Sequence, residues 1–192
     1  MMVTTEGTAA RIMDVAEALI QQRGYGGFSF DDVAQQVGIR KPSVHHHFRT
    51  KSDLVAALAQ RYTERFESAL AAIDIARRDP LARLKAYVRL FATTYAQDSR
   101  LCLCGMLGAE ADALPEDVAA AVATFFELNL VWLAAAFRDA QHSGQVTSAL
   151  RAQALAELLL STLEGAMVVG RGARGGSGPA AVGKTLLGGL AA

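Results

Sequence analysis

With two cysteines in 192 residues, Cys102 and Cys104, the chain has too few for a disulfide scaffold and lacks the second pair that a tetrahedral zinc site needs. Reduced thiols and no bound metal are the expectation. An excess of charge of one sign is also missing: 19 basic and 19 acidic residues cancel, which excludes a globally basic nucleic-acid coat protein and makes any DNA contact local. The opening MMVTTEGTAAR has no apolar signal core. Asn129, Arg138, Glu157 and Glu164 interrupt the most apolar later stretches before spanning length, so a soluble cytoplasmic protein with no membrane partner is expected. No nucleophile elbow, phosphate loop or metal-spaced His/Glu pair occurs, so neither an enzyme nor a cofactor is expected. Alternating β-branched runs with hairpin turns are absent as well, as are internal repeats. What remains is 52% hydrophobic, too apolar for a disordered chain, and its wealth of alanine and leucine predicts an all-α protein of about nine helices.

Apolar residues at steps of three and four place a first helix over Thr8–Arg23, with Ile12, Val15, Ala16, Leu19 and Ile20 as its buried stripe, ended by Gly24, Gly26 and Gly27. Ser29 with Asp32 is a capping-box pattern opening a short second helix through Val37, closed by Gly38. A third fits Lys41–Phe48. Thr50 with Asp53 repeats the cap before a long fourth helix whose apolar face is Leu54, Leu58, Tyr62, Phe66, Leu70 and Ile73. Asp79-Pro80 starts a fifth, with Leu81, Leu84, Val88, Phe91 and Tyr95 on one side. A sixth is predicted over Leu101–Leu114 and a seventh from Pro115 to Gln141, ended by Ser143-Gly144. The eighth spans Ser148–Val169, and glycines from Gly170 to Gly178 break the pattern before a last helix, Ala180–Leu190.

Helices two and three, joined at Gly38, have the lengths of a helix-turn-helix, whose second helix lies in the major groove of DNA. Between Ile39 and Ser52 the charged residues are Arg40, Lys41, Arg49 and Lys51, with His45, His46 and His47 at the centre and no acid. Phosphate contacts supply most sequence-independent affinity, so this local cationic patch suits a groove reader, although a solvated basic turn has the same composition. Successive helical residues diverge by about 100°, so the three histidines cannot close on one metal ion. His47 is expected to face inward beside Phe48, with His45 and His46 toward DNA.

Gly24-Tyr25 through Val33-Ala34, Val37-Gly38-Ile39 and His47-Phe48-x-x-Lys51-x-x-Leu54 resemble the signature of the tetracycline-repressor (TetR) family over roughly residues 8–58. The resemblance implies a three-helix DNA-binding head (residues 1–50) and a helical ligand-binding and dimerisation domain (51–192). It further implies a homodimer that binds a double-stranded DNA operator and is released by a small-molecule effector. The DNA contacts expected are Ser29, Arg40, Lys41, Pro42, Ser43, His45, His46, Arg49 and Lys51. Two positions depart from the family pattern. Arg40 stands where a serine or threonine often caps the recognition helix, and arginine cannot accept that bond. His45 stands where a tyrosine commonly touches the backbone, and a histidine donates to phosphate more strongly when protonated. These departures keep an alternative in play, a helical interaction module or ligand-binding protein without specific DNA binding.

In the body, aromatic or polar residues at apolar-face positions are the expected effector contacts: Phe91, Tyr95, Met106, Phe125, Phe126, Asn129, Trp132 and Met167, with Asn129 and Glu164 as polar groups in need of partners. Each of these residues reads more readily as plain core than as ligand wall, and Asn129 and Glu164 are equally readable as caps of a neighbouring helix or as solvent-facing groups. Cys102 and Cys104 diverge by about 200° on a helix, which disfavours a disulfide between them. One of them is read either as a sensor of thiol-reactive compounds, with Arg100 lowering its pKa, or as a small buried hydrophobe. The segment resembles cysteine-bearing members of the same family that respond to reactive small molecules. The eighth and ninth helices, too apolar to stand alone, are expected to pair with those of a second copy.

Overall fold

The computed structural model describes residues 5–192. Among them are nine α-helices and no strand: α1 Thr5–Arg23, α2 Phe30–Val37, α3 Lys41–His47, α4 Lys51–Ala76, α5 Pro80–Tyr95, α6 Leu103–Gly108, α7 Glu116–His142, α8 Ala152–Gly172 and α9 Pro179–Leu190. One isolated antiparallel bridge joins Val146 and Ala191. The residues pack as two compact units, neither continuous in sequence. The head unit comprises residues up to Thr63 with Leu103–Phe125, and the body unit comprises Glu64–Cys102 with Phe126–Ala192. Both α4 and α7 run from one unit into the other.

Where a cap is written in the sequence, the helix begins at it. The hydroxyl of Ser29 accepts the Asp32 N–H while the Asp32 carboxylate takes the Ser29 N–H at 2.7 Å. Thr50 and Asp53 exchange the same pair of bonds at 2.9 and 3.0 Å. Asp79 accepts the Ala82 N–H at 2.6 Å ahead of Pro80, which has no N–H to satisfy in a first turn. Gly38 takes the left-handed conformation (φ 77°) that closes α2 and donates to the carbonyls of Ala34 and Gln35.

Two elements differ from the sequence expectation, because side-chain hydrogen bonds to backbone outside the helix outweigh local propensity there. The helix expected over Leu101–Leu114 shrinks to α6 and a short 3-10 turn, Ala111–Ala113. Its break falls at Glu110, whose side chain is drawn to the turn after α1. Helix α8 starts at Ala152 rather than Ser148, since the Gln141 amide donates to the carbonyls of Ser148 and Leu150 and holds them in a turn. It then continues through Gly170, which is buried against the ring of Tyr95.

The interrupting polar residues do not shorten α7 and α8 below membrane-spanning length; both are long and apolar enough by length and composition. Packing takes up part of their apolarity, with Leu133, Phe137, Leu155, Leu159 and Leu163 fully buried, while Val131 of α7 stays exposed. Exposed apolar side chains remain on α8, at Leu158, Val168 and Val169.

In the body, α9 packs on both α5 and α8. A Cβ added at Gly183 would lie 2.7 Å from Val88 Cγ1 and 3.0 Å from Leu163 Cδ2, whereas nothing stands within 4 Å of one at Gly188. Gly183→Ala should therefore lower stability by about 1–3 kcal/mol through overpacking. Gly188→Ala should raise it by up to about 1 kcal/mol through helix propensity. Urea denaturation of the two variants checks this; equal shifts of the same sign would contradict the close approach at Gly183.

Candidate functional site

The head is built on α1, whose Ile12, Ala16, Leu19 and Ile20 are fully buried. Arg11 donates to the Val37 carbonyl at 2.6 Å, tying α1 to the end of α2. Arg61 of α4 pairs with Asp14 at 2.8 Å and Glu17 at 3.3 Å. Val44 is the fully buried residue of α3, so the helix turns its other side chains outward. Arg40, Pro42, Ser43, His45, His46 and Arg49 are exposed, and His47 is half-buried, its ring edge-on to that of His46. Arg40 is the N-cap of α3 and makes no side-chain cap bond, while Pro42 in the first turn removes one of the N–H groups needing a cap.

Four of the expected DNA-contacting side chains already have intramolecular partners. The Ser29 hydroxyl is engaged in the capping box, donating to Asp32 at 2.6 Å, and this bonding lowers the Asp32 pKa. Lys41 pairs with Asp31 at 2.7 Å on an exposed surface. His45 stands edge-on to Phe30 and its Nδ1 lies 3.3 Å from the Arg49 carbonyl, which requires Nδ1 to be the donor. Lys51 corrects the expectation most. Its ammonium donates to the carbonyls of Tyr25 (2.5 Å) and Phe28 (2.6 Å) and lies over both rings, 4.5 and 4.3 Å from their centroids. Burial lowers its pKa, opposed by the charges of Glu110 and Asp32. Lys51 is therefore a fastener of the α1–α2 turn.

The same turn is held from its N–H side by a residue the sequence did not single out. Glu110 accepts the Tyr25 N–H at 2.7 Å and the Gly26 N–H at 3.1 Å, one on each carboxylate oxygen. Gly24, at φ 78°, packs so close that a side chain there would overlap Glu110. Ser52 donates to Asp117 at 2.5 Å, fixing the start of α4 to the start of α7. Burial, and then the Asp117 charge, raise the Tyr25 pKa.

In the body unit, several expected effector contacts gather around Tyr87, which the sequence reading passed over although it follows Leu84 by three residues and precedes Phe91 by four. Its hydroxyl donates to Asn129 Oδ1 at 2.7 Å, its ring stacks on Trp132 at 5.6 Å, and Phe91 lies 5.5 Å away. Trp132 Nε1 donates to Asp74 at 2.9 Å. The Cys102 thiol hydrogen-bonds the Glu164 carboxylate, whose Oε1 is shielded from solvent and has no hydrogen-bond partner. Burial raises the Glu164 pKa to about 7, opposed by the Cys102 bond. Burial raises the Tyr87 pKa well above its ordinary value, assisted by the Cys102 and Glu164 charges. Cys102 thus has a carboxylate neighbour, and both cysteines are buried.

The remaining expected contacts lie elsewhere. Cys104, Met106 and Phe125 belong to the head unit, Phe125 against Tyr62. Tyr95 is held between Gly170 and Gly178, and Met167 is fully buried on α8. Phe126 is half-buried on α7.

The Glu164 carboxyl makes stability depend on pH. Its folded pKa lies above the ordinary carboxylate value of about 4.3, so the folded protein holds the proton more tightly. The stabilisation is full below that ordinary value and is lost as pH rises through about 7, on the order of 3 kcal/mol. Thermal unfolding should show the midpoint falling from pH 5 to pH 8, and Glu164→Gln should flatten the profile. Parallel profiles for the two proteins would contradict the buried acid.

Comparison with known proteins agrees with this architecture. Residues 12–58 match the family profile described as bacterial regulatory proteins, tetR family, and residues 80–175 match the tetracyclin repressor-like C-terminal domain. The chain is 34% identical over 155 residues to the transcriptional regulator AcuR of Cereibacter sphaeroides, covering 78% of this chain and 69% of AcuR. It is 23% identical to the HTH-type transcriptional repressor DhaR of a Mycobacterium species, over 77% of this chain and 74% of DhaR. A TetR-family transcriptional regulator from Agrobacterium tumefaciens superposes with a TM-score of 0.93 at 34% identity, covering 98% of this chain and all of the other. Two domain profiles in order, and a relative at this identity over most of both chains, establish that the protein is a DNA-binding transcriptional regulator of the TetR family.

Proposed function

We propose that the protein is a homodimeric repressor that grips a palindromic operator with two α3 helices and lets go when a small molecule enters the body at the Tyr87–Cys102–Glu164 cluster. One observation carries the effector part of this reading: a buried carboxyl oxygen without a partner, in a cluster of otherwise bonded polar groups. Such an oxygen is costly unless something completes it, and a ligand donor would do so. Cys102 is the nucleophile of the cluster and Glu164 can accept its proton, which favours a thiol-reactive inducer as the narrower form.

Residues 1–50 serve as the reading part and 51–192 as the ligand-binding and dimerisation part. Arg40, Pro42, Ser43, His46 and Arg49 face outward from α3 and its flanks and are assigned to DNA, with Lys41 shared between Asp31 and phosphate. His45 Nε2 is left as an acceptor by the bond at Nδ1, so it donates to phosphate only in the protonated ring. The exposed Leu158, Val168 and Val169 of α8 support pairing with a second copy, which would set two recognition helices about 34–36 Å apart on DNA. Effector binding then acts where the chain passes from Cys102 of the body into α6 of the head, and along α4, which is shared by both units. The coupling is reciprocal: DNA weakens effector binding by the same factor, typically about 5–150-fold.

Selection of sites from a random DNA pool by the purified protein, repeated after a mild thiol-reactive electrophile, tests this reading. A palindromic site, lost on treatment in the wild type and retained in Cys102→Ser, is expected; the absence of an enriched site would favour a helical interaction module instead. On the selected site, Arg49→Ala should reduce the salt slope of binding by about 1. Lys51→Ala should leave that slope unchanged and lower the unfolding free energy by about 1–3 kcal/mol, since it strips two carbonyls of their donor. A reduced slope in Lys51→Ala would return Lys51 to phosphate.

A further inference from the structure

Beyond the cluster at Tyr87, the body carries a second feature with the character of a binding site. A groove of about 490 Å³ runs between α5 and α9, within the range of small-ligand sites. Its floor is Val88 and Leu187, and Lys85, Arg89 and Lys184 stand around it, all three exposed. The groove exists because of two glycines. At Gly183 the helices touch so closely that a Cβ would strike Val88; at Gly188, on the groove, nothing stands within 4 Å. Beyond it the end of α9 is pinned by the Thr147 N–H on the Leu190 carbonyl at 2.9 Å and by the bridge of Ala191 to Val146.

The charge around this groove is one-sided. Neither α5 nor α9 contains an acidic residue. Arg83, the other cation of α5, is neutralised by Asp139 at 3.3 Å and Asp74 at 3.6 Å. Among the described residues no ion pair involves Lys85, Arg89 or Lys184. Asp79 feels the Lys85 charge, but its two oxygens are occupied by the Ala82 N–H and the Gln145 amide. Three unneutralised cations beside a strip of apolar surface are complementary to one kind of ligand, an anion with an apolar part. The Tyr87 cluster, with its acid, has the opposite preference.

We propose that the α5–α9 groove binds a medium-chain aliphatic carboxylate, its head between Lys85, Arg89 and Lys184 and its tail on Val88 and Leu187. Helix α5 carries Tyr87 into the effector cluster and Val88 into this groove, so an occupant bears on the element that holds the cluster.

Isothermal titration calorimetry of the full chain with octanoate, and with 1-octanol as the uncharged match for the tail, tests the assignment. Octanoate is expected to bind at least tenfold more tightly than 1-octanol and to weaken as salt is added. Binding should fall at least tenfold both in the Lys85→Gln/Arg89→Gln/Lys184→Gln variant and in Gly188→Leu, which fills the groove without changing charge. No binding of octanoate, or equal binding by wild type and the folded variants, would overturn the proposal. So would dissociation of a dimer by the triple substitution in sedimentation, since the groove would then be covered by a second copy. None of these results depends on DNA, so the site can fail without the repressor reading failing, and the reverse.

Discussion

The reading head depends on how one turn of backbone is held. Residues 25–28 connect α1 to α2, and their peptide groups meet a carboxylate on the donor side and an ammonium on the acceptor side: Glu110 on two N–H groups, Lys51 on two carbonyls. Bonds to charged groups contribute roughly 1.5–3 kcal/mol each, about twice a neutral pair, and leaving such a group buried and unpaired is costly. Gly24 permits the approach, having both the left-handed φ and no side chain in the way of Glu110. The position of α2, and through Gly38 that of α3, follows from this turn together with the Arg11 bond to Val37. Glu110 sits just beyond α6, so the clamp lies within the head unit, on the segment of it that begins one residue after Cys102.

In the body the controlling constraint is the opposite one, a charge kept away from water. Leu160, Leu163 and Met167, close to Glu164 along α8, are buried, and the hydrogen-bond partner of Glu164 is a thiol, a weak donor. That combination raises the acid's pKa toward neutrality and leaves one oxygen unsatisfied. Buried polar groups in native proteins are usually paired, and the unpaired Oε1 is the observation on which the proposed effector site rests.

Much of this was legible in the sequence, for a physical reason: caps, prolines and the periodicity of apolar side chains act within a few residues, and so the bounds of α2, α4 and α5 could be read from Ser29, Thr50 and Asp79. The head motif was legible too, because its glycine turn and its His-Phe-x-x-Lys-x-x-Leu junction recur at fixed intervals. What could not be read were effects that act across the fold. Glu110 breaks its helix by reaching backbone more than eighty residues away. Lys51 looks like a phosphate contact until its carbonyl partners, more than twenty residues away, are seen. Tyr95 looks like a pocket wall and is packed between two glycines. Tyr87 was within reach, since it lies on the same stripe as Leu84 and Phe91, but only its bond to Asn129 separates it from ordinary core.

The most direct test of the clamp is the affinity of Glu110→Ala for the selected operator, read by fluorescence anisotropy at one fixed salt concentration beside the wild type. Loss of the carboxylate frees the Tyr25 and Gly26 amides and lets the turn that positions α2 and α3 relax. The expected result is at least a tenfold weaker complex with helix content unchanged by circular dichroism, which corresponds to about 1.4 kcal/mol or more. Wild-type affinity in Glu110→Ala would contradict the account, because the head would then hold its DNA-binding shape without the Glu110 carboxylate.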